Sequence, residues 1–184
     1  MKLFGSYTSP YVRHCRVALT ELNIPCNFVD TDYSGSAAGS PNMRVPYLQD
    51  GSLMLTDSTS ILMHLYKKAN RPFIETVEQM ELYTMVNTVM DTTINLFLLE
   101  RDGLTPESSP YLKRQHNRIK AGLTALDELS LPGKLPFTVA QTRLACFLDW
   151  ALFRNRIEIS NHAQLKKFVD LANSWPVFSE TAPQ

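Results

Sequence analysis

The spacing of hydrophobic positions changes character near residue 70 of this chain. Before that point short strand-like alternations are interleaved with helical stripes; after it only helical spacing persists. In the first part, residues 2–5 read as a short apolar strand. Pro10, at a first helical position, opens a helix to about residue 23, with Val12, Cys15, Leu19 and Leu22 on one stripe, and Pro25 stops it. Residues 26–31 alternate as a second strand. Two strands joined by one helix over so few residues imply a right-handed parallel β-α-β unit. Residues 34–41, rich in Ser, Gly and Ala, form a loop with at most a short helix. Two further strands, 46–49 and 52–56, flank Asp50-Gly51, a pair that suits a two-residue type I′ hairpin, and a helix over 58–69 closes the unit.

The second part predicts four helices. Val86, Val89, Met90, Phe97 and Leu98 mark one face of a long helix over 74–101, and Ile119, Leu123 and Leu126 mark the next. The third spans 139–155 and begins with Thr138 three residues before Gln141, a capping-box pattern. Its apolar stretch 144–148 has little polar relief and predicts a buried central helix. Leu165, Phe168, Val169 and Ala172 mark the fourth. The change of pattern sets a domain boundary within 67–73.

Composition narrows the functions open to such a chain. Its 184 residues suffice for two small domains with a real core. Basic and acidic side chains balance at 18 each, which argues against nucleic acid or an anionic membrane as partner. No apolar run is long enough to span a bilayer, and residues 1–6 lack the apolar core of a secretory signal. Cys15, Cys26 and Cys146 are odd in number and lack C-x-x-C spacing, so a reducing cytoplasm is the expected compartment. The histidines His14, His64, His116 and His162 are too scattered for a metal site, and no metal is expected. Cys15, on the apolar stripe, is read as a buried, inert thiol. Lys113, Arg114, Arg118 and Lys120 are read as a solvated helix face.

Candidate chemistry is concentrated in three short pieces at element edges. Ser9-Pro10-Tyr11 through Arg16 lies at the first strand-to-helix turn, Arg44-Val45-Pro46 precedes the hairpin, and Asp57-Ser58 opens the third helix. Singly, each has an ordinary reading as a helix start, an edge-strand proline or an N-cap. Together, in this order, they resemble the cytosolic glutathione S-transferase family, nearest its bacterial members with serine or cysteine at the first helix. Residues 138–148 resemble that family's capped core helix, so the likeness spans nearly the whole chain. Met43 departs from the family's usual glycine before the basic residue, and Gln141 from its usual aspartate.

The resemblance implies an α/β thioredoxin-like N-terminal domain over 1–70 followed by an all-α C-terminal domain over 74–184. It also implies a cytoplasmic homodimer that conjugates glutathione to small electrophiles in detoxification. A helix N-terminus with a hydroxyl donor suits a thiolate, so Ser9 is the candidate catalytic residue, with Tyr7 and Thr8 as rival hydroxyls on the same turn. A hydrogen bond to a charged group, worth roughly 1.5 to 3 kcal/mol, lowers a thiol pKa by about one to two units. For glutathione binding the resemblance assigns Arg44 to the glycyl carboxylate, Val45 and a cis Pro46 to the cysteinyl backbone, and Asp57 and Ser58 to the γ-glutamyl ammonium and carboxylate. Tyr11 and residues 95–101 are candidate walls of the electrophile pocket. Two readings from other classes stand beside this one: a non-catalytic protein that binds a partner or sequesters ligands, and a glutathione-dependent peroxidase or disulfide reductase.

Overall fold

The computed structural model describes residues 1–183, the side chain of Tyr33 excepted. The chain divides into two units, Met1–Glu75 together with Asn173–Gln184, and Thr76–Ala172. In the first unit, β1 (Lys2–Gly5) buries Leu3 and Gly5 and exposes Lys2. A Cβ on Gly5 would stand 2.5 Å from a Val12 methyl, so the strand and the helix α1 (Pro10–Glu21) approach as closely as glycine permits. Helix α1 starts at Pro10, with Ser9 as N-cap. It ends before Pro25: Asn23 turns left-handed at φ 52° and the Ile24 N–H returns to the Leu19 carbonyl at 2.9 Å. The same ending, an Asn with positive φ, closes α3 (Ser58–Lys68) at Asn70 and α6 (Val139–Phe153) at Asn155.

The sheet has strand order β2-β1-β3-β4, with β2 (Asn27–Asp30) parallel to β1, and β3 (Tyr47–Asp50) antiparallel to both β1 and β4 (Leu53–Leu55). A short helix α2 (Tyr33–Gly39) fills the expected loop. The hairpin corrects the sequence reading by one residue. Asp50 pairs with Leu53, so the turn residues are Gly51 and Ser52; Gly51 has φ 64° and Ser52 is not left-handed. That is the φ pattern of a type II′ turn, not type I′. Asp50 is drawn into the strand because its carboxylate accepts from His64 Nε2 and Lys68 Nζ of α3, both at 2.9 Å. These two donors hold its carboxyl at about 2, below the usual carboxylate range.

The stretch from Asn173 onward, expected in the helical domain, returns to the first unit. The cause is Arg13, whose side chain is only 2% exposed. Its guanidinium lies 3.7 Å from the centre of the Phe178 ring and donates to the Phe178 carbonyl at 3.0 Å and to Thr181 Oγ1 at 3.3 Å. Helix α1 therefore buries a polar face against α8 (Pro176–Ser179) as well as its apolar stripe.

The second unit is helical. Helix α4 (Val77–Arg101) packs against α5 (Pro110–Asp127) and α6, and Gly122 of α5 abuts Val89 so closely that a Cβ would lie 2.5 Å from its methyl. Helix α6 is buried along nearly its full length and opens with the expected capping box: Thr138 N–H to Gln141 Oε1 at 2.9 Å, and Gln141 N–H to Thr138 Oγ1 at 3.3 Å. Buried Arg143 donates to Tyr83 Oη at 2.5 Å. Helix α7 (Ala163–Asn173) is capped from a distance, with Asp127 Oδ1 accepting from the Gln164 and Leu165 amides. Among the described residues, no helix is long and apolar enough to cross a membrane.

Candidate functional site

One end of the four-stranded sheet gathers the three pieces. Strand β1 leaves the sheet there toward Ser9, β3 enters there after Pro46, and β4 leaves there toward Asp57, because Phe4 pairs with Tyr47 and Leu48 with Leu55. The Val45-Pro46 peptide is cis, as the family resemblance implies. Pro46 is buried and Val45 half-buried.

Two helices begin at this end. At α1, the Ser9 hydroxyl oxygen accepts the Val12 N–H at 3.4 Å, a long bond, and Ser9 is half-buried. Its O–H proton is not used by that bond, so the hydroxyl can cap the helix and donate to a ligand at once. Thr8 and Tyr11 flank it, both half-buried. Tyr7 faces another direction: its ring is packed against Phe28 of β2 at 4.8 Å between centroids, with the Arg16 guanidinium 4.8 Å from its centre. Strand β2 lies on the side of β1 away from β3, so the Tyr7 ring leans from the edge that carries Pro46 and Asp57.

At α3, Asp57 is the N-cap, one carboxylate oxygen accepting the Thr59 N–H at 2.7 Å. Asp57 is exposed, whereas Ser58, the first helical residue, is buried. The second carboxylate oxygen of Asp57 can therefore meet a cation while the amides and hydroxyl of the first turn meet an anion. Arg44 is exposed and has no ion-pair partner among the described residues. Met43 before it is left-handed at φ 51°, the conformation for which glycine is favoured.

Some contributors escaped the sequence reading. Asn42 spans the two halves of this end through Nδ2, which donates to Thr56 Oγ1 at 3.0 Å and to the Thr56 carbonyl at 3.3 Å. The Arg16 guanidinium lies against both the Tyr7 and Phe28 rings, and burial lowers its pKa. The signal for Arg16 was its placement about two turns beyond the Ser-Pro pair; Asn42 left none, since its partner is fixed only by the hairpin. Burial likewise pushes the Cys26 thiol up, and Cys15 and Cys146 are buried thiols outside any disulfide, which argues against an activated cysteine nucleophile.

Comparisons with known proteins agree with the fold. Residues 3–73 match the family described as glutathione S-transferase, N-terminal domain. An Escherichia coli (strain K12) protein described as the uncharacterized GST-like protein YibF is 25% identical, over all of this chain and 98% of its own length. A glutathione S-transferase from Methylobacterium radiotolerans, solved in complex with glutathione sulfonate, superposes with a TM-score of 0.85 at 20% identity, covering 99% of this chain and 94% of its own. A glutathione transferase family member from Pseudomonas fluorescens Pf-5, with bound S-(propanoic acid)-glutathione, does so with a TM-score of 0.82 at 24% identity over the full length of both. Over residues 3–73 the chain thus matches the glutathione S-transferase N-terminal domain, and its fold is that of the solved glutathione transferases to which it is similar.

Proposed function

We propose that this chain binds glutathione at the sheet end formed by Ser9, Val45-Pro46 and Asp57-Ser58, and activates its thiol for attack on a small electrophile. The observation that carries this reading is the convergence of two helix N-termini and a cis X-Pro entry on one end of one sheet. Glutathione offers a matching set: a thiol for α1, a peptide for β3, and an α-amino acid head for α3. Relatives of the same fold solved with glutathione derivatives support the reading.

In this mechanism Asp57 takes the γ-glutamyl ammonium, the first turn of α3 with Ser58 takes the adjoining carboxylate, and Arg44 meets the glycyl carboxylate. The glutathione thiol loses its proton to solvent. Ser9 donates its hydroxyl hydrogen to the resulting thiolate, and the positive end of α1 adds to that stabilisation. The sulfur lone pair forms a carbon–sulfur bond, and the electrophile's leaving group departs with its electron pair. Tyr11, in the first turn of α1, stands as a wall for the electrophile. The protein's own thiols take no part, which favours conjugation over thiol–disulfide chemistry. The exposed apolar side chains Leu53, Met54 and Met63 of the first unit support pairing of two copies, and three cysteines outside any disulfide fit a reducing cytoplasm.

Calorimetry with reduced glutathione tests binding directly. Paired assays with a halogenated aromatic and a hydroperoxide then test the chemistry. Binding with turnover of the aromatic is expected. Absence of heat at millimolar glutathione overturns the binding reading, and turnover of the hydroperoxide alone overturns conjugation.

A further inference from the structure

The candidate site is made from two halves that the chain supplies separately, one on each side of the hairpin, and the half that precedes it is reached through exposed residues. Residues 41–44, which lead to Val45, are all exposed. Within this loop the Met43 N–H closes a turn on the Ser40 carbonyl at 2.9 Å, and the Asn42 N–H is held by Ser40 Oγ at 3.3 Å. These bonds shape the turn but tie it to nothing else. Met43 stays left-handed without glycine's freedom, so the turn is held in a conformation its own residue disfavours by about 1 kcal/mol.

Across the gap runs the Asn42 side chain. Its amide donates to both oxygens of Thr56, the residue immediately before Asp57. A carboxamide is suited to this role: one NH₂ group offers two hydrogens, and Thr56 offers a hydroxyl and a carbonyl oxygen as acceptors. We infer that Asn42 is the positioning residue of the glutathione site, fixing the Arg44–Pro46 half against the Asp57–Ser58 half so that one extended ligand meets both. The inference rests on the binding reading given above. In this role Asn42 acts through the loop it holds. Its effect is to hold the empty loop in its bound form, which removes an ordering cost that glutathione would otherwise meet on binding.

The test measures glutathione affinity by calorimetry, melting temperature, and kcat and KM for conjugation in the full chain. Asn42→Ala is expected to weaken glutathione about five- to tenfold and to raise its KM in parallel, with kcat at saturation within about twofold of wild type. Thr56→Val, which keeps the carbonyl acceptor and loses the hydroxyl, is expected to show a smaller loss, and Thr56→Ser none. The double variant Asn42→Ala/Thr56→Val is expected to be no weaker than Asn42→Ala alone, because both changes cut one link. A merely structural asparagine would lower the melting temperature and leave affinity untouched; that result overturns the inference. So does an unchanged affinity in Asn42→Ala beside a lost affinity in Asp57→Ala, which leaves the binding reading standing. Absence of glutathione binding by the wild type overturns both.

Discussion

The N-termini of α1 and α3 meet the same end of the sheet, yet they are built differently. Helix α1 begins with Pro10, which has no N–H, and its neutral cap Ser9 holds Val12 at 3.4 Å. Helix α3 begins with the N–H-bearing, buried Ser58, and its cap Asp57 holds Thr59 at 2.7 Å with a charged oxygen. The first terminus is sparse in donors and loosely capped, so its one hydroxyl can turn to a soft anion such as a thiolate. The second is rich in donors, firmly capped and flanked by a carboxylate, as a zwitterionic head requires. Both are ordinary helix starts; the division of labour comes from what each cap leaves unspent.

Separating cap from charge at α3 should give the largest effect. Asp57→Asn keeps a good N-cap and removes the charge, so glutathione affinity should fall about 10- to 100-fold while stability changes by less than about 0.5 kcal/mol. Asp57→Ala should lose the same affinity and about 1 kcal/mol of stability as well. Calorimetry and urea unfolding of the two variants check this; equal stability losses would mean that the charge, not the cap, holds the helix start. At α1 the effect falls on reactivity. Ser9→Ala should raise the pKa of bound glutathione's thiol by about one to two units, measured by ultraviolet titration, with only about 0.5 kcal/mol of stability lost because the cap bond is long. Tyr7→Phe should leave that titration unmoved, since the ring is turned toward β2. The opposite pattern would transfer catalysis to Tyr7.

A smaller effect concerns the far end of α3. The Asp50 carboxyl is depressed from 3.8 to about 2 by its bonds to Lys68 and His64. A depressed acid contributes stability above its unfolded pKa and loses that contribution as pH falls toward its folded one. Unfolding free energy should therefore decline between about pH 4 and pH 2, and Asp50→Asn should flatten that part of the profile in denaturant titrations. Smallest of all, Met43→Gly should relieve the left-handed strain and stabilise the chain by about 0.5 kcal/mol, the gain being reduced by glycine's greater freedom when unfolded.

Much of the fold was legible because its signals are local. Residues 2–5, the Ser-Pro helix start, the Asp57-Ser58 start and the Thr138–Gln141 box each declare themselves within four residues, and all stand where expected. The hairpin was misread by one position because two donors on a later helix capture Asp50 and set the strand pairing. Arg13 was passed over since its partners lie 165 and 168 positions away, and a charged residue beside an apolar stripe usually faces water. The rivalry of Ser9 and Tyr7 could not be weighed from sequence either. What separates them is the direction of one ring, fixed by Phe28 and Arg16.

The clasp of Arg13 on Phe178 and Thr181 has a temporal meaning. During synthesis the strands and helices of the first unit emerge before any residue of the second, but the carbonyl and hydroxyl that seat this buried cation follow only after the whole helical unit has been made. The helix that follows Ser9 is thus among the first segments to form, while the seat of its buried cation is among the last to be completed.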